Sequence, residues 1–298
     1  PKFCLSVCLS ERPCWQRNSK HMSRSRAAWL SVLCCTLAPV DGFKKRGKGG
    51  GGKAAAEKVA LPGFEGIDCK ECMTKVMRQL VPASRGCPAG NGTVIPSSTP
   101  LRVAPAFCDT ELPKRRKCIA YSFGIDSVWD FDKAMVSRGC RVLSFDPTCC
   151  GAAHRVSEFH DFIPVGLATY DGLADFEDPL KPNTTIPVLT MKTIMDSYEH
   201  PKVDVLRLKI SANKEWKGLK NLINTGVIQD IGQLSLNIHL SDNEMWEEYK
   251  DILVGLKSAG FLPFYVARQP NAEYLKVQEG SLSLYNKYEA SFGNLYRR

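Results

Sequence analysis

The sequence predicts an α/β fold: a three-layer, doubly wound, seven-stranded, mostly parallel sheet with an irregular N-terminal appendage. Three observations carry this. From Cys118 onward, apolar runs of strand length alternate with segments of helical period. The first such unit, residues 118–147, reads as strand, glycine turn, helix and second strand ending in an acid. Two neighbouring runs near the end, residues 261–266 and 281–288, read as a hairpin-like antiparallel pair.

Residues 118–123 form a short apolar run that stops at Gly124, after which Trp129, Phe131, Ala134 and Met135 recur at helical spacing up to Gly139. Residues 141–145 make the second strand, ended by Asp146-Pro147. In such a unit the turn lets a ligand approach the backbone at a helix start, and the acid accepts hydrogen bonds from ribose hydroxyls. One glycine occupies the turn where a dinucleotide fingerprint has three, which argues against a packed pyrophosphate. S-adenosylmethionine, a nucleoside cofactor without phosphate, stays open. So does the blander reading of an ordinary βαβ unit whose Gly124 only starts a turn.

The third strand is expected over residues 159–168, an acidic, Pro-containing loop over 171–187, a helix over 189–198 and a buried strand over 203–210. A helix over 215–224, ended by Gly226, leads into a strand over 232–239. Residues 242–258 read as a helix capped by Ser241 or Asp242 and ended by Gly260. The strands over 261–266 and 281–288 follow, the last one expected at the sheet edge.

With 298 residues, 44% hydrophobic and 24% charged, the chain can bury a substantial core. The net charge of +9 is localised. Residues 1–60 hold 12 Lys/Arg against 3 Asp/Glu, and of the totals of 40 and 31 this leaves 28 of each sign for residues 61–298. The globular body is neutral, so no nucleic-acid partner is inferred from it.

Three regions follow: residues 1–60, a leader with a basic Gly-rich linker; 61–112, Cys/Pro-rich with one short helix candidate at Met73, Val76, Met77 and Leu80; and 113–298, the catalytic-size domain. If translation begins at Met22, residues 22–42 have the basic start, short apolar run and small residues of a signal peptide, too short to span a membrane. That implies a secreted or luminal protein; without it the chain reads as cytoplasmic. Eight of the 13 cysteines lie in the body, and bridges are expected first among Cys69, Cys72, Cys87 and Cys108, while Cys118 and Cys140 read as free buried thiols. Cys69 and Cys72 have no second pair at zinc-ligand spacing, so no metal site is expected. Asn91 and Asn183 open glycosylation sequons.

The order of several motifs resembles the methyltransferase-like protein 24 group: Tyr121-Ser-Phe-Gly124, Phe131-Asp132 with Ala134-Met135, Phe145-Asp-Pro147, Val203-Asp-Val-Leu206, Glu215-Trp216 and Ile238-His-Leu240. The match runs from about residue 118 to 288. It implies a class I methyltransferase-type fold that uses S-adenosylmethionine on an unknown methyl acceptor. It also implies a cofactor site made by Ser122, Gly124 and Asp146, with Phe162, Val165 and Gly166 near the adenine. The family's acids after the strand at 203–210 are missing, since the chain reads Lys209-Ile-Ser211-Ala-Asn-Lys-Glu215-Trp216 there. Asn237 likewise stands where the family has Glu. The alternative is therefore a catalytically impaired, methyltransferase-fold binding protein of the secretory pathway. His239 remains the weak catalytic candidate, open equally to capping its strand, whereas Trp216 and Asp204 read as core and His154 and His160 as surface residues.

Overall fold

The computed structural model describes residues 69–88, 92–99, 102–113, 117–176, 184–209 and 214–297. The expected signal segment at 22–42, the basic linker and the two sequon asparagines, Asn91 and Asn183, lie outside them. So does Ser211.

In chain order the described elements begin with helix α1 (Lys70–Gln79) and the short strands β1 (Thr93–Val94) and β2 (Ala106–Phe107). The opening βαβ unit is β3 (Cys118–Phe123), α2 (Asp130–Ser137) and β4 (Cys140–Phe145). Strands β5 (His154–Ser157), β6 (His160–Ile163), β7 (Gly166–Leu167), β8 (Gly172–Phe176) and β9 (Thr184–Leu189) come next. Then follow α3 (Met191–Ser197), β10 (Val203–Leu208), α4 (Lys214–Asn224), β11 (Ile231–His239) and α5 (Trp246–Ser258). The last strands are β12 (Phe261–Arg268), β13 (Tyr274–Glu279), β14 (Leu282–Tyr285) and β15 (Lys287–Asn294).

The main sheet is mixed and has eight strands in the order β12-β15-β11-β10-β3-β4-β6-β5. Strands β11, β10, β3, β4 and β6 pair in parallel, and β15 and β5 run against their neighbours. This is an α/β architecture compatible with a methyltransferase-like fold. Both faces are covered, which explains why the central strands are apolar on both sides. On one face Tyr121, Phe123, Leu143, Phe145, Leu206 and Leu236 pack with residues of α1, α3, α4 and α5. On the other, Ala120, Val142 and Val205 pack with Phe131 and Met135 of α2 and with Ile95 and Phe107. The stretch expected as an irregular appendage thus contributes to both layers. Its helix α1 is amphipathic, burying Cys72, Met73, Val76 and Met77.

Four expectations change. The third strand breaks at Pro164, which has no N–H to donate to a ladder, and becomes β6 and β7. The expected loop over 171–187 holds β8 and most of β9, which pair antiparallel, and β9 runs on to Leu189; the β-branched run Thr184-Thr185-Ile186 outweighs the prolines as a strand signal. The final edge strand is an interior one: β15 lies between β11 and β12, with every residue from Tyr288 to Asn294 buried, while β14 pairs with β13 in a separate hairpin. Finally, Cys118 and Cys140 are bridged, not free. They are register partners at the start of two adjacent parallel strands, 4.3 Å apart at Cα, so both thiols emerge on one face within reach of each other. Bridges Cys69–Cys72, Cys87–Cys108 and Cys149–Cys150 complete the disulfides of the described residues. Among those residues no helix is long and apolar enough to cross a membrane.

Candidate functional site

Strand β3 sits where the chain reverses its direction of travel through the sheet, with β4 on one side and β10 on the other. A crevice opens at the carboxyl ends of strands at such a point. Here it is a cleft of about 1000 Å³, lined among others by Ser122, Gly124, Asp146, Gly166, Arg207 and Glu289.

One half is built by the βαβ turn. Gly124 has φ +77°, a conformation open to glycine, and its N–H donates to the Phe145 carbonyl at 3.0 Å, tying the turn to the end of β4. Asp146 is buried, 4% exposed. Its Oδ2 accepts from the Asp126 amide at 3.1 Å, and its Oδ1 accepts from the Thr148 amide and hydroxyl at 2.9 and 2.6 Å. A carboxylate has about four acceptor positions, so Oδ2 retains one that a ribose hydroxyl can use. Opposite, a Cβ on Gly166 would lie 3.2 Å from Val188 Cγ1 and 3.4 Å from Pro147 Cγ, so a side chain there would crowd the wall. The residues present fit a nucleoside-bearing group such as S-adenosylmethionine at this end. Phe162 and Val165 lie behind the wall, each 1% exposed, with the Phe162 ring set edge-on against Trp129.

The other half is made by strand ends. His239 and Asn237 line the cleft at the end of β11. Asn237 pairs across the ladder with Glu289 of β15 and donates from Nδ2 to its Oε2 at 3.2 Å. Ser235 donates to Oε1 at 3.2 Å, and Arg207 Nη2 stands 3.9 Å from that same oxygen. Glu289 is 1% exposed, and burial pushes its carboxyl above the ordinary range against the pull of Arg207. An acid therefore does reach this end of the cleft, contributed by the antiparallel strand beside the one that lacks it. Lys209 Nζ is 3.6 Å from Asp126 Oδ2 and leaves the cleft open.

Beneath the floor, Ser144 links two buried groups: its hydroxyl donates to Asp132 Oδ1 and lies 2.7 Å from His160 Nε2. His160, read as a surface residue, is 2% exposed, and burial holds it below its ordinary range; His154 is exposed as expected. Trp216 is fully buried and donates to the His239 carbonyl at 2.7 Å, and Asp204 accepts from the Ile119 amide at 2.8 Å. Both are structural. Sequence reasoning missed Arg207 and Glu289, although each is a charge set among apolar strand residues, a pattern that marks a charge with a purpose.

No protein-family model matches the chain. It is similar to the protein named "Probable methyltransferase-like protein 24" of Homo sapiens, 28% identical over 198 residues, which cover 61% of this chain and 51% of the relative. It is also similar to the protein of that name from Rattus norvegicus, 32% identical over 136 residues, 43% of this chain and 34% of the relative. The chain spans about half the length of the first relative and a third of the second. These relatives bear out the resemblance carried by the motifs: the chain is similar to the methyltransferase-like protein 24 group.

Proposed function

We propose that the chain is an S-adenosylmethionine-dependent methyltransferase whose acceptor is unknown. The observation that supports this best is the open cleft at the strand-order reversal, with Gly124 and Asp146 at one end and strand-end polar groups at the other. The order of the seven strands from β12 to β6 also favours a class I methyltransferase layout, with β5 added at the edge.

When bound, the cofactor supplies an electrophilic methyl group on a sulfonium. The chain's own residues do the rest by holding and orienting. Asp146 accepts from the ribose, the Gly124 turn admits the methionine end, and the walls exclude water around the reacting atoms. A non-catalytic descendant is not favoured, because Lys209 folds towards Asp126 and does not fill the cleft. The bridges Cys118–Cys140 and Cys87–Cys108 fit an oxidising, secretory compartment.

Calorimetric titration with S-adenosylhomocysteine tests the reading. Binding to the wild type, lowered in Asp146→Ala, is expected. The absence of heat with folded protein would remove the cofactor assignment, and equal binding by the variant would remove Asp146 from it.

A further inference from the structure

Three cations converge at the end of β10. Arg207 lies over the Phe131 ring, 5.2 Å from its centroid, and its side chain is 12% exposed. Its Nη1 is buried and makes no hydrogen bond among the described residues. Lys209, the next residue but one, has its ammonium 3.6 Å from Asp126 Oδ2, and Arg102 Nη2 stands 2.6 Å from the same oxygen. Arg102 Nη1 is also buried without a partner among the described residues. One carboxylate oxygen of Asp126 thus serves two cations. Of the buried acids near Arg207, Glu289 already accepts from Ser235 and Asn237, and Asp132 from Ser144. Burial, and then the positive charge of Arg102, hold the Lys209 ammonium below its ordinary range, with Arg207 adding to the effect and Asp126 opposing it.

We propose that this end of the cleft is an oxyanion subsite, where Arg102, Arg207 and Lys209 hold a carboxylate or phosphate carried by the methyl acceptor. Arg102, Arg207 and Lys209 all line the cleft, and each of the two guanidinium groups keeps one buried nitrogen without a partner among the described residues, so together they offer what an oxyanion accepts, in a setting that strengthens charge-assisted hydrogen bonds. The cluster continues along β11 and β15 through Asn237, Lys287 and Glu289, away from Asp146, which places it on the acceptor's side. The same charges disfavour an acceptor that presents a lysine or arginine side chain. Only the word acceptor rests on the cofactor reading; the subsite stands on its own charges.

The test is calorimetry on the full chain with inorganic phosphate as probe, run alone, with saturating S-adenosylhomocysteine, and with saturating methylthioadenosine, which lacks the amino-acid end. Phosphate should bind, with affinity unchanged by either nucleoside, and bind at least about tenfold more weakly in Arg102→Gln/Lys209→Met. A second variant, Arg207→Gln/Glu289→Gln, keeps that buried pair neutral and should weaken phosphate similarly, so a fold defect in one variant does not decide the matter. No binding to wild type, or equal binding by both folded variants, overturns the subsite. Displacement by S-adenosylhomocysteine but not by methylthioadenosine overturns the acceptor assignment, since the cofactor's own carboxylate would then own the cations. Phosphate binding without any S-adenosylhomocysteine binding supports the subsite while removing the cofactor reading.

Discussion

At Gly124 and Asp146 the side-chain contacts and the Gly124 amide bond stay within or next to one βαβ unit, whereas at Arg207 and Glu289 the contacts join three strands that are far apart in sequence. Asp146 is met by Asp126, 20 residues away, and by Thr148, 2 residues away. Glu289 is met by Ser235 and Asn237, which are 54 and 52 residues away. The first half is also stapled beneath by Cys118–Cys140, which joins β3 to β4 directly. The second half depends on charge. A half built locally and covalently can keep its shape when one contact is lost; a half built from a buried ion pair cannot lose one partner without stranding the other.

The largest effect should therefore come from Arg207→Met, which leaves Glu289 buried beside Ser235 and Asn237 without its cation. A loss of about 3–5 kcal/mol in urea unfolding is expected, and adding Glu289→Gln should recover more than half of it. If the single variant lost less than about 1 kcal/mol, the second half would not be a charged unit and the contrast would collapse. Next, Cys118→Ala/Cys140→Ala should cost about 2–4 kcal/mol while leaving the Arg207–Glu289 coupling unchanged in a double-mutant comparison. A changed coupling would mean that the two halves fold as one network.

Ligand binding should split the same way at smaller energies. Asp146→Ala should weaken S-adenosylhomocysteine about tenfold, or ~1.4 kcal/mol, while Arg207→Gln/Glu289→Gln changes it by no more than about threefold. Equal losses would erase the distinction between the halves. The smallest effect is a pH dependence. Burial holds the Glu289 carboxyl above its ordinary 4.5, so the folded chain keeps a proton that the unfolded chain releases. That stabilising difference is complete below 4.5 and is lost as pH rises through the folded value. Glu289→Gln stays neutral throughout, so its stability relative to wild type should improve upward from pH 4.5 by at most about 1.4 kcal/mol per pH unit. A difference that stays flat between acid and neutral pH would show that Glu289 titrates as in the unfolded chain.

Much of the first half was legible in the residues because its signals are local. An apolar run, a glycine, a helical period and an acid follow one another within residues 118–147, and the structure sets Gly124 and Asp146 at the same cleft. Asn237 was legible as a missing acid but Glu289 was not legible as its neighbour, because that pairing exists only when β15 enters the sheet beside β11. The alternation Tyr288-Glu289-Ala290-Ser291-Phe292 resembles a half-exposed edge strand, yet both of its faces are buried. His160 misled for a similar reason: a polar residue at the start of a strand reads as exposed until Ser144 of the neighbouring strand and Asp132 of α2 close over it.

By itself the sequence determined the opening strand–helix–strand unit, the strands β10 and β11 with the helices α4 and α5 that flank β11, the Gly124 turn, the acid at Asp146 and the neutral charge of residues 61–298. These depend on side-chain period, backbone freedom and composition, each set within a few residues or by simple counting. Tertiary structure alone decided the position of β15, the bridge between Cys118 and Cys140, and the meeting of Arg102, Arg207, Lys209 and Glu289 around one cleft. Strand order and register follow from burying both faces of the whole sheet at once, a condition that no single segment carries.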